Sequence, residues 1–353
     1  MTLYQYNENP NTFVRFARKI YHPIGFKKGY NFILFFIFAG ALFGFCLARL
    51  QYLSIDGVFK NGAAPGEWFY YSRTFYKVGI ALHLACVIPA GILMVPQFIP
   101  IIRYKALLFH RINGYALLFL IIGGNIGALM IARWSFGGTM ATQGLVGTLA
   151  IATLGSASLS YYNIKRLQID QHRAWMLRTW SYLGVIVTMR IVMIIAGLII
   201  STRGNYYIAI PCQQIDFMGG NATVYPNCAA DPNAHTAVKA DILTATSTEQ
   251  AAAALYESFG MAGWISLMLH IIGVELYLKL TPAEGERLRK VSYERQLERG
   301  FSHPGSSGLT VDRLGDAEPW MPPTSKGEDD GESTKQDHGA DKTARPGSHL
   351  GWS

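Results

Sequence analysis

The chain contains six blocks of about twenty apolar residues, and these restrict its fold more than any other feature. The blocks cover residues 30–50, 75–96, 108–131, 142–164, 178–200 and 260–280. A helix rises about 1.5 Å per residue, so about twenty residues cross the ~30 Å hydrocarbon core of a bilayer. The alternating segments of about ten residues that are typical of membrane β-barrels are absent from the sequence. The sequence therefore predicts an all-α, polytopic bundle of transmembrane helices.

The segments outside these blocks differ in composition. We expect residues 1–29 to form an N-terminal segment and residues 30–280 to form the membrane domain, which includes a long loop at 201–259. Residues 281–300 predict a charged surface helix without a partner. Residues 301–353 are rich in Gly, Ser, Pro, Asp and Lys and have few apolar side chains to bury, which predicts a disordered tail.

Lysine and arginine side chains alternate between the two sides of the predicted membrane. They are frequent before the first block and after the second, fourth and sixth blocks, and they are sparse in the other connections. The positive-inside rule therefore predicts a multi-pass protein of the secretory pathway, in the endoplasmic reticulum or plasma membrane, with cytosolic N- and C-termini. The first thirty residues lack the apolar region and cleavage site of a signal peptide, so we expect no cleaved leader.

The chain has a formal net charge of +8, although only 15% of its residues are charged. The basic residues mark topology and attract anionic headgroups, so we expect the lipid bilayer as a partner and no nucleic acid. We also expect a hydrophobic small molecule as a partner. The cysteine and histidine spacings contain no signature of a metal site. The sequence leaves the oligomeric state open.

The loop 201–259 has two features typical of an oxidising lumen. Asn221 is followed by Ala222 and Thr223 and is an N-glycosylation acceptor, so we predict a glycan on it. Cys212 and Cys228 are the two cysteines outside the apolar blocks, and we predict that they form a disulfide bond. Such a bond would close a loop of about 17 residues and stabilise the fold by roughly 3 kcal/mol.

Three ionisable side chains lie at similar depth in the predicted membrane core: His83, Arg190 and His270. A charge in hydrocarbon costs on the order of 2.5–3.5 kcal/mol, which argues for a functional reason to keep it. Small and polar residues share a helix face with each histidine, as on faces that pack against other helices. We predict that the three form a catalytic site in which histidine transfers protons or ligates a cofactor. The alternative is that each histidine only hydrogen-bonds a neighbouring carbonyl.

A second layer of basic groups lies at the predicted cytosolic boundary. His110 and Arg111 begin the third block, and His172, Arg173 and Arg178 precede the fifth. Membrane topology accounts for the arginines but not for the histidines, so we predict that His110 contacts the segment around His172. The carboxylate of the sixth block lies close enough in depth to pair with one of these bases. We assign substrate or headgroup binding to Arg111, Arg173, Arg178 and Glu275.

Two short motifs and one later arginine carry a family resemblance. They are His110-Arg111-x-x-Gly114, His172-Arg173-x-Trp175-Met176-x-Arg178 and Arg190. In these residues the chain resembles the membrane family known as a domain of unknown function, DUF2306, over roughly residues 75–280. The resemblance implies a polytopic helical fold and brings no established activity. Fungal members of the family often look like accessory proteins of natural-product pathways.

A more distant likeness is to the cytochrome b561-like and ferric-reductase-like membrane proteins. In those proteins, histidine pairs on neighbouring helices hold haem, and imidazole pairs are natural axial ligands of haem iron. By depth, the pairs in this chain would be His83 with His270 and His110 with His172. This likeness implies haem b as a cofactor, although the residues alone leave the cofactor open.

Three functions remain compatible with these patterns. The first is a membrane oxidoreductase, or another catalyst acting on a hydrophobic metabolite, in a secondary-metabolite pathway. The second is a non-catalytic carrier or accessory protein for a lipid-like metabolite. The third is a membrane terpene cyclase, which needs a buried carboxylic acid as proton donor, and Glu275 is the one carboxylate within the apolar blocks. The sequence does not decide whether the protein is an enzyme.

Overall fold

The computed structural model describes residues 11–220 and 223–322, and in these ranges the chain is predominantly helical. The helices are α1 (Thr12–Tyr21), α2 (Gly29–Arg49), α3 (Lys60–Gly62), α4 (Glu67–Tyr71), α5 (Thr74–Phe98), α6 (Pro100–Lys105), α7 (Leu107–Ile131), α8 (Met140–Lys165), α9 (Ile169–Leu183), α10 (Val185–Arg203), α11 (Cys212–Phe217), α12 (Pro226–Ala230), α13 (Thr248–Leu280), α14 (Pro282–Glu298) and α15 (Val311–Leu314). Strands β1 (Tyr207–Pro211) and β2 (His235–Lys239) pair antiparallel.

Six helical stretches in the described ranges are long and apolar enough to cross a membrane, which confirms the predicted all-α polytopic bundle. They are Gly29–Leu53, Thr74–Phe98, Leu107–Ile131, Met140–Lys165, Ile169–Arg203 and Thr248–Leu280. The first four agree with the predicted blocks to within a few residues. The last two begin about ten residues earlier than predicted, because their first turns pack against protein at the two ends of the bundle.

Helix α13 illustrates this difference. It has 33 residues, or roughly 50 Å at about 1.5 Å per residue, which exceeds the hydrocarbon thickness of ~30 Å. Its first turns bury Ala252, Ala253 and Ala254 against the two-stranded sheet instead of facing lipid. The excess length of α13 therefore belongs to a small folded layer outside the apolar part of the bundle.

The long helices pack as close pairs. Helix α5 packs along α7, α8 along α9, and α10 along α13, while α2 packs on α5. The α5–α7 pair is the tightest at Gly127, where an added Cβ would lie 2.5 Å from the backbone nitrogen of His83 and 2.6 Å from the carbonyl oxygen of Gly79. Small residues in membrane helices allow such backbone contact.

The folded layer at one end of the bundle contains the predicted disulfide bond, and we call this end the disulfide end. Cys212 begins α11 and is bonded to Cys228 in α12, with a Cα–Cα distance of 5.2 Å, which confirms the predicted pairing. The core beneath it includes Ile210, Val238 and Tyr256. The predicted glycosylation site, Asn221, lies outside the described residues.

Helices α1, α6 and α14 lie at the opposite end, which we call the tail end. The backbone nitrogen of Ile101 donates to the carbonyl oxygen of Ile24 at 3.2 Å, which joins the turn after α1 to α6. Helix α14 packs on α9, where Ser292 Oγ accepts a hydrogen bond from Ile169 N and donates one to Asp170. The prediction of a surface helix without a partner at 281–300 was therefore wrong, because α14 carries buried polar side chains as well as exposed charges.

Residues 301–322 are ordered and pack on the tail end, so the prediction of disorder from residue 301 onward does not hold for this segment. Buried side-chain amides bind its backbone: Gln168 Oε1 accepts from Gly308 N at 3.1 Å, and Asn163 Oδ1 accepts from Leu309 N at 2.8 Å. Composition did not predict that this segment is ordered, because the segment is held by hydrogen bonds to polar groups and not by an apolar core. The rest of the predicted tail, residues 323–353, lies outside the described residues.

Candidate functional site

A buried carboxyl group, Glu67, lies at the disulfide end and has only 2% of its surface exposed. It begins α4, directly after Gly66, whose positive φ of 79° turns the chain into the helix. Tyr71 Oη donates to Glu67 Oε2 at 2.9 Å, and the backbone nitrogen of Phe136 donates to Glu67 Oε1 at 3.0 Å. Tyr71 Oη also lies 2.9 Å from Ser135 Oγ. Both carboxyl oxygens are thus held by the protein.

Burial raises the pKa of Glu67 to about 8, although the hydrogen bonds of Tyr71 and Phe136 and the charge of Arg190 each lower it. Desolvation destabilises the carboxylate more than these partners stabilise it. Burial and the nearby carboxyl group also raise the pKa of Tyr71. At neutral pH the pair is therefore mostly protonated, and the buried layer holds a carboxylic acid beside a phenol.

Arg190 of α10 approaches this acid from the bundle. Its guanidinium carbon lies 5.0 Å from the ring centre of Phe136 and 5.8 Å from that of Phe259, and these two rings stack at 4.1 Å. Within residues 11–220 and 223–322, no group forms a hydrogen bond or ion pair with Arg190, and Glu67 is within its electrostatic range. The guanidinium group therefore keeps its donors available while the aromatic rings fix its position.

Phe136 connects the acid and the arginine. It lies in the tight turn Ser135–Gly138 with φ 47° and ψ 58°, a left-handed conformation that is uncommon for a bulky side chain. Such backbone costs on the order of 1–3 kcal/mol and is often retained at functional sites. In this conformation its backbone nitrogen binds Glu67 and its ring stacks beside Arg190. We call Glu67, Tyr71, Ser135, Phe136 and Arg190 the Glu67 cluster.

Neighbouring side chains fix the start of α4. Tyr256 Oη of α13 donates to the carbonyl oxygen of Pro65 at 2.8 Å. Gln214 Nε2 of α11 donates to Tyr256 Oη at 2.8 Å and to the carbonyl oxygen of Gly66 at 3.1 Å. The disulfide-bonded layer thus holds the Glu67 carboxyl in place through two buried side chains.

The three residues predicted as catalytic do not form one group of contacts. His83 Nδ1 lies 2.8 Å from the carbonyl oxygen of Gly124 on α7. His270 Nδ1 lies 2.6 Å from the carbonyl oxygen of Ser181, and its Nε2 lies 2.8 Å from Thr188 Oγ1. Each histidine thus bonds a neighbouring carbonyl on a different helix, as the alternative reading expected. A catalytic role for His83 and His270 stays a prediction.

The predicted basic layer lies at the tail end. Arg178 forms two hydrogen bonds with Glu275, at 2.6 and 2.9 Å, as the estimate of similar depth had suggested. Arg173 donates to Tyr277 Oη at 3.2 Å, while Arg111 is exposed on the bundle surface. These arginines therefore have different surroundings and do not form a single binding group.

The two histidines of this layer differ in their hydrogen bonds. His110 lies within electrostatic range of His172 and Arg103. A direct contact between His110 and the segment around His172 stays a prediction. His172 Nδ1 lies 2.8 Å from Ser160 Oγ. His110 Nδ1 is enclosed without a hydrogen-bond partner in the described residues.

The four histidines considered as haem ligands differ in which ring nitrogens have a hydrogen-bond partner. His270 has hydrogen-bond partners at both ring nitrogens, and His83 and His172 each have one at Nδ1. Axial ligation by His270 would require Thr188 to move away, so these contacts fit packing better than ligation. Over the described ranges, no three His, Cys, Asp or Glu side chains are grouped to hold a metal ion. Haem b stays a prediction.

Sequence reasoning missed Glu67 because it considered only carboxylates within the apolar blocks. The connection between the first two blocks contains the pattern Gly66-Glu67-Trp68-Phe69-Tyr70-Tyr71. A lone acid next to a run of aromatic residues was the available signal, since aromatic side chains usually bury surface. Its partners come from other connections and from α10, which the local pattern does not reveal.

Comparison with known proteins gives two matches of limited reach. Residues 80–212 match the model of a family described as a predicted membrane protein, DUF2306. The chain is 24% identical over 322 residues to Ava biosynthesis cluster protein G of Aspergillus versicolor, which covers 76% of this chain and 94% of that protein. No solved structure matches the chain.

Proposed function

We propose that this protein is an integral membrane enzyme of a secondary-metabolite pathway that protonates a hydrophobic substrate. Glu67 acts as the general acid, and Arg190 binds an oxygen of the substrate. The observation that carries the proposal is a buried carboxyl group beside an arginine that lacks a hydrogen-bond partner in the described chain. Burial raises the pKa of this carboxyl group to about 8. The relative from the Ava biosynthesis cluster supports the pathway context.

The chemistry that fits this arrangement is acid-initiated isomerisation or cyclisation, the reaction class of a membrane terpene cyclase. Glu67 transfers its proton to a double bond or carbonyl oxygen of the substrate. Hydrogen bonds from Tyr71 and the Phe136 nitrogen, together with the Arg190 charge, stabilise the carboxylate that remains. The cationic substrate then loses a proton from another carbon, which restores the acid. The cycle is balanced in protons and electrons and uses no oxidant.

In this proposal the proton donor is Glu67 and not Glu275, the carboxylate considered from the sequence. Its carboxylate receives two hydrogen bonds from Arg178, and charge-assisted pairs of this kind favour the ionised form. A group that is stabilised as an anion is a poor proton donor. Glu67 is stabilised as the neutral acid, because burial raises its pKa more than its hydrogen bonds and the charge of Arg190 lower it.

Substrate must reach a carboxyl group that is closed off in this structure. The segment Leu50–Phe59 packs on Tyr71 of the cluster, and the ring of Phe59 lies 6.0 Å from that of Tyr71. Part of this segment, Ile55–Phe59, is a π-helical turn, a conformation frequently found at functional sites. We propose that displacement of this segment admits the substrate.

The test compares Glu67→Gln with Glu257→Gln, a matched change of a second glutamate near the disulfide end. Each variant replaces the native protein in the producing strain, and pathway intermediates and product are quantified with the membrane level of the protein. Glu67→Gln should lower turnover by about 10²–10⁴-fold at normal protein level, because a general acid contributes that much. In isolated membranes, native turnover should fall as the pH rises through about 8. Normal product with Glu67→Gln would contradict the proposal.

A second pair of variants tests the binding role of the arginine. Arg190→Gln should raise the substrate concentration needed for turnover, whereas Arg203→Gln at the end of the same helix should not. If the protein is instead a carrier, the variants that impair it should cause finished product to accumulate inside the cells of the same strains. The oxidoreductase alternative predicts a Soret band in the purified, haem-supplied protein.

A further inference from the structure

An open cleft lies at the tail end, on the opposite side of the bundle from the Glu67 cluster. It has a volume of about 560 Å³ and is lined by His22, Gly25, Phe26, Lys27 and Tyr104. One wall is the turn between α1 and α2, and the other is α6. The hydrogen bond from Ile101 to Ile24 joins these two walls.

Basic side chains from three helices surround one carboxylate beside this cleft. Glu284 accepts two hydrogen bonds from Arg287 at 2.8 Å each. Burial raises the pKa of Glu284, but the hydrogen bonds from Arg287 and the charges of Arg173 and Arg103 lower it more. The pKa of Glu284 therefore lies below its usual range. Arg103 precedes Tyr104, which lines the cleft and lies close to Arg287. One carboxylate cannot neutralise three guanidinium groups, so the local charge is positive.

Helix α1 indicates where the cleft lies relative to a membrane. Phe13, Phe16 and Ile20 share one face of the helix and are 77%, 62% and 50% exposed. Arg15 and Lys19 lie on the other face. An amphipathic helix of this composition lies in the interface, with its apolar face among acyl chains and its basic face toward headgroups. The cleft begins at the residue after α1 and so opens at headgroup level.

We propose that this cleft binds the phosphate group of an anionic amphiphile, with Lys27, Arg103 and Arg287 as its ligands and Phe26 against its apolar part. Arginine binds phosphate oxygens through two parallel hydrogen bonds, and lysine adds a compact charge. A bound phosphate would offset the mutual repulsion of the arginines, which Glu284 alone does not. The lining combines the buried ring of Phe26 with the exposed side chain of Lys27. The exposed Arg103 and Arg287 are neighbours of Tyr104, which also lines the cleft. The phosphate can belong to a bilayer lipid or to a soluble phosphate compound.

The test uses native mass spectrometry of the full chain in detergent, titrated with dioleoyl phosphatidic acid or dioleoyl phosphatidylcholine. The variants Lys27→Gln, Arg103→Gln and Arg287→Gln are compared with Lys28→Gln, Lys105→Gln and Lys290→Gln, which remove the same charge from neighbouring positions. Each cleft variant should weaken phosphatidic acid binding about tenfold, because a hydrogen bond to a charged group contributes roughly that factor. Phosphatidylcholine binding should not change, and melting temperatures should confirm that all variants fold.

Inorganic pyrophosphate distinguishes the two sources of phosphate. If it displaces phosphatidic acid from the native protein, the cleft recognises the phosphate itself and can accept a soluble ligand. If it does not, the acyl chains are required and the ligand is a bilayer lipid. Equal phosphatidic acid binding by the cleft variants and their controls would overturn the proposal, since attraction would then come only from the general positive charge of this face.

Discussion

Replacing Glu67 by glutamine tests the central physical statement about the site, namely that its carboxyl group is protonated in the folded protein. Glutamine has the shape of the protonated acid and keeps an oxygen acceptor for the Phe136 nitrogen. Its amide does not titrate. The stability of the variant therefore lacks whatever pH dependence Glu67 contributes to the native protein.

The magnitude follows from the pKa of Glu67, which rises from 4.5 to about 8 on folding. Each pKa unit corresponds to about 1.36 kcal/mol, so the shift of about 3.5 units amounts to about 5 kcal/mol. The folded pKa is the higher one, so this stability is fully present below pH 4.5 and is lost as the pH rises toward about 8. Between pH 5 and pH 7.5, the native protein should lose about 3 kcal/mol relative to Glu67→Gln.

The assay is thermal unfolding of the purified full chain in detergent, followed by the fluorescence of its seven tryptophans at several pH values. The melting temperature of Glu67→Gln should rise relative to that of the native protein at each step toward pH 8. Glu257→Gln is the control for a glutamine substitution that leaves Glu67 in place. Parallel curves for the native protein and Glu67→Gln would refute the reasoning, because the carboxyl group would then titrate alike in both states.

Three further predictions concern the scaffold. Gly127→Val should destabilise the fold by at least about 1–3 kcal/mol, because its Cβ would lie 2.5 Å from the His83 backbone, whereas Gly147→Ala meets open space and should be tolerated in the same melting assay. Cys228→Ser should lower stability by about 3 kcal/mol and make melting insensitive to a reductant, unlike that of the native protein. Asn221→Gln should abolish a glycosidase-induced mobility shift, and no shift in the native protein would contradict the predicted lumenal loop.

Much of the scaffold followed from local sequence patterns. The number of spans could be predicted because every helix that crosses the bilayer needs about twenty apolar residues, whatever it packs against. The disulfide partners were readable because two cysteines lie outside the apolar blocks. Depth, which residue counting estimates well along a straight helix, indicated that Glu275 could pair with a base of the cytosolic layer, and the structure identifies that base as Arg178.

The acid at the disulfide end required the tertiary structure. Glu67 lies in a connection between two apolar blocks, where a charged residue is ordinary. The groups around it are distant in sequence: 64 positions separate Tyr71 from Ser135, and 69 separate Glu67 from Phe136. A pKa depends on how completely water is excluded and on which groups replace it. Several connections from different parts of the chain together enclose this carboxyl group, so its protonation is a property of their assembly and not of any local segment.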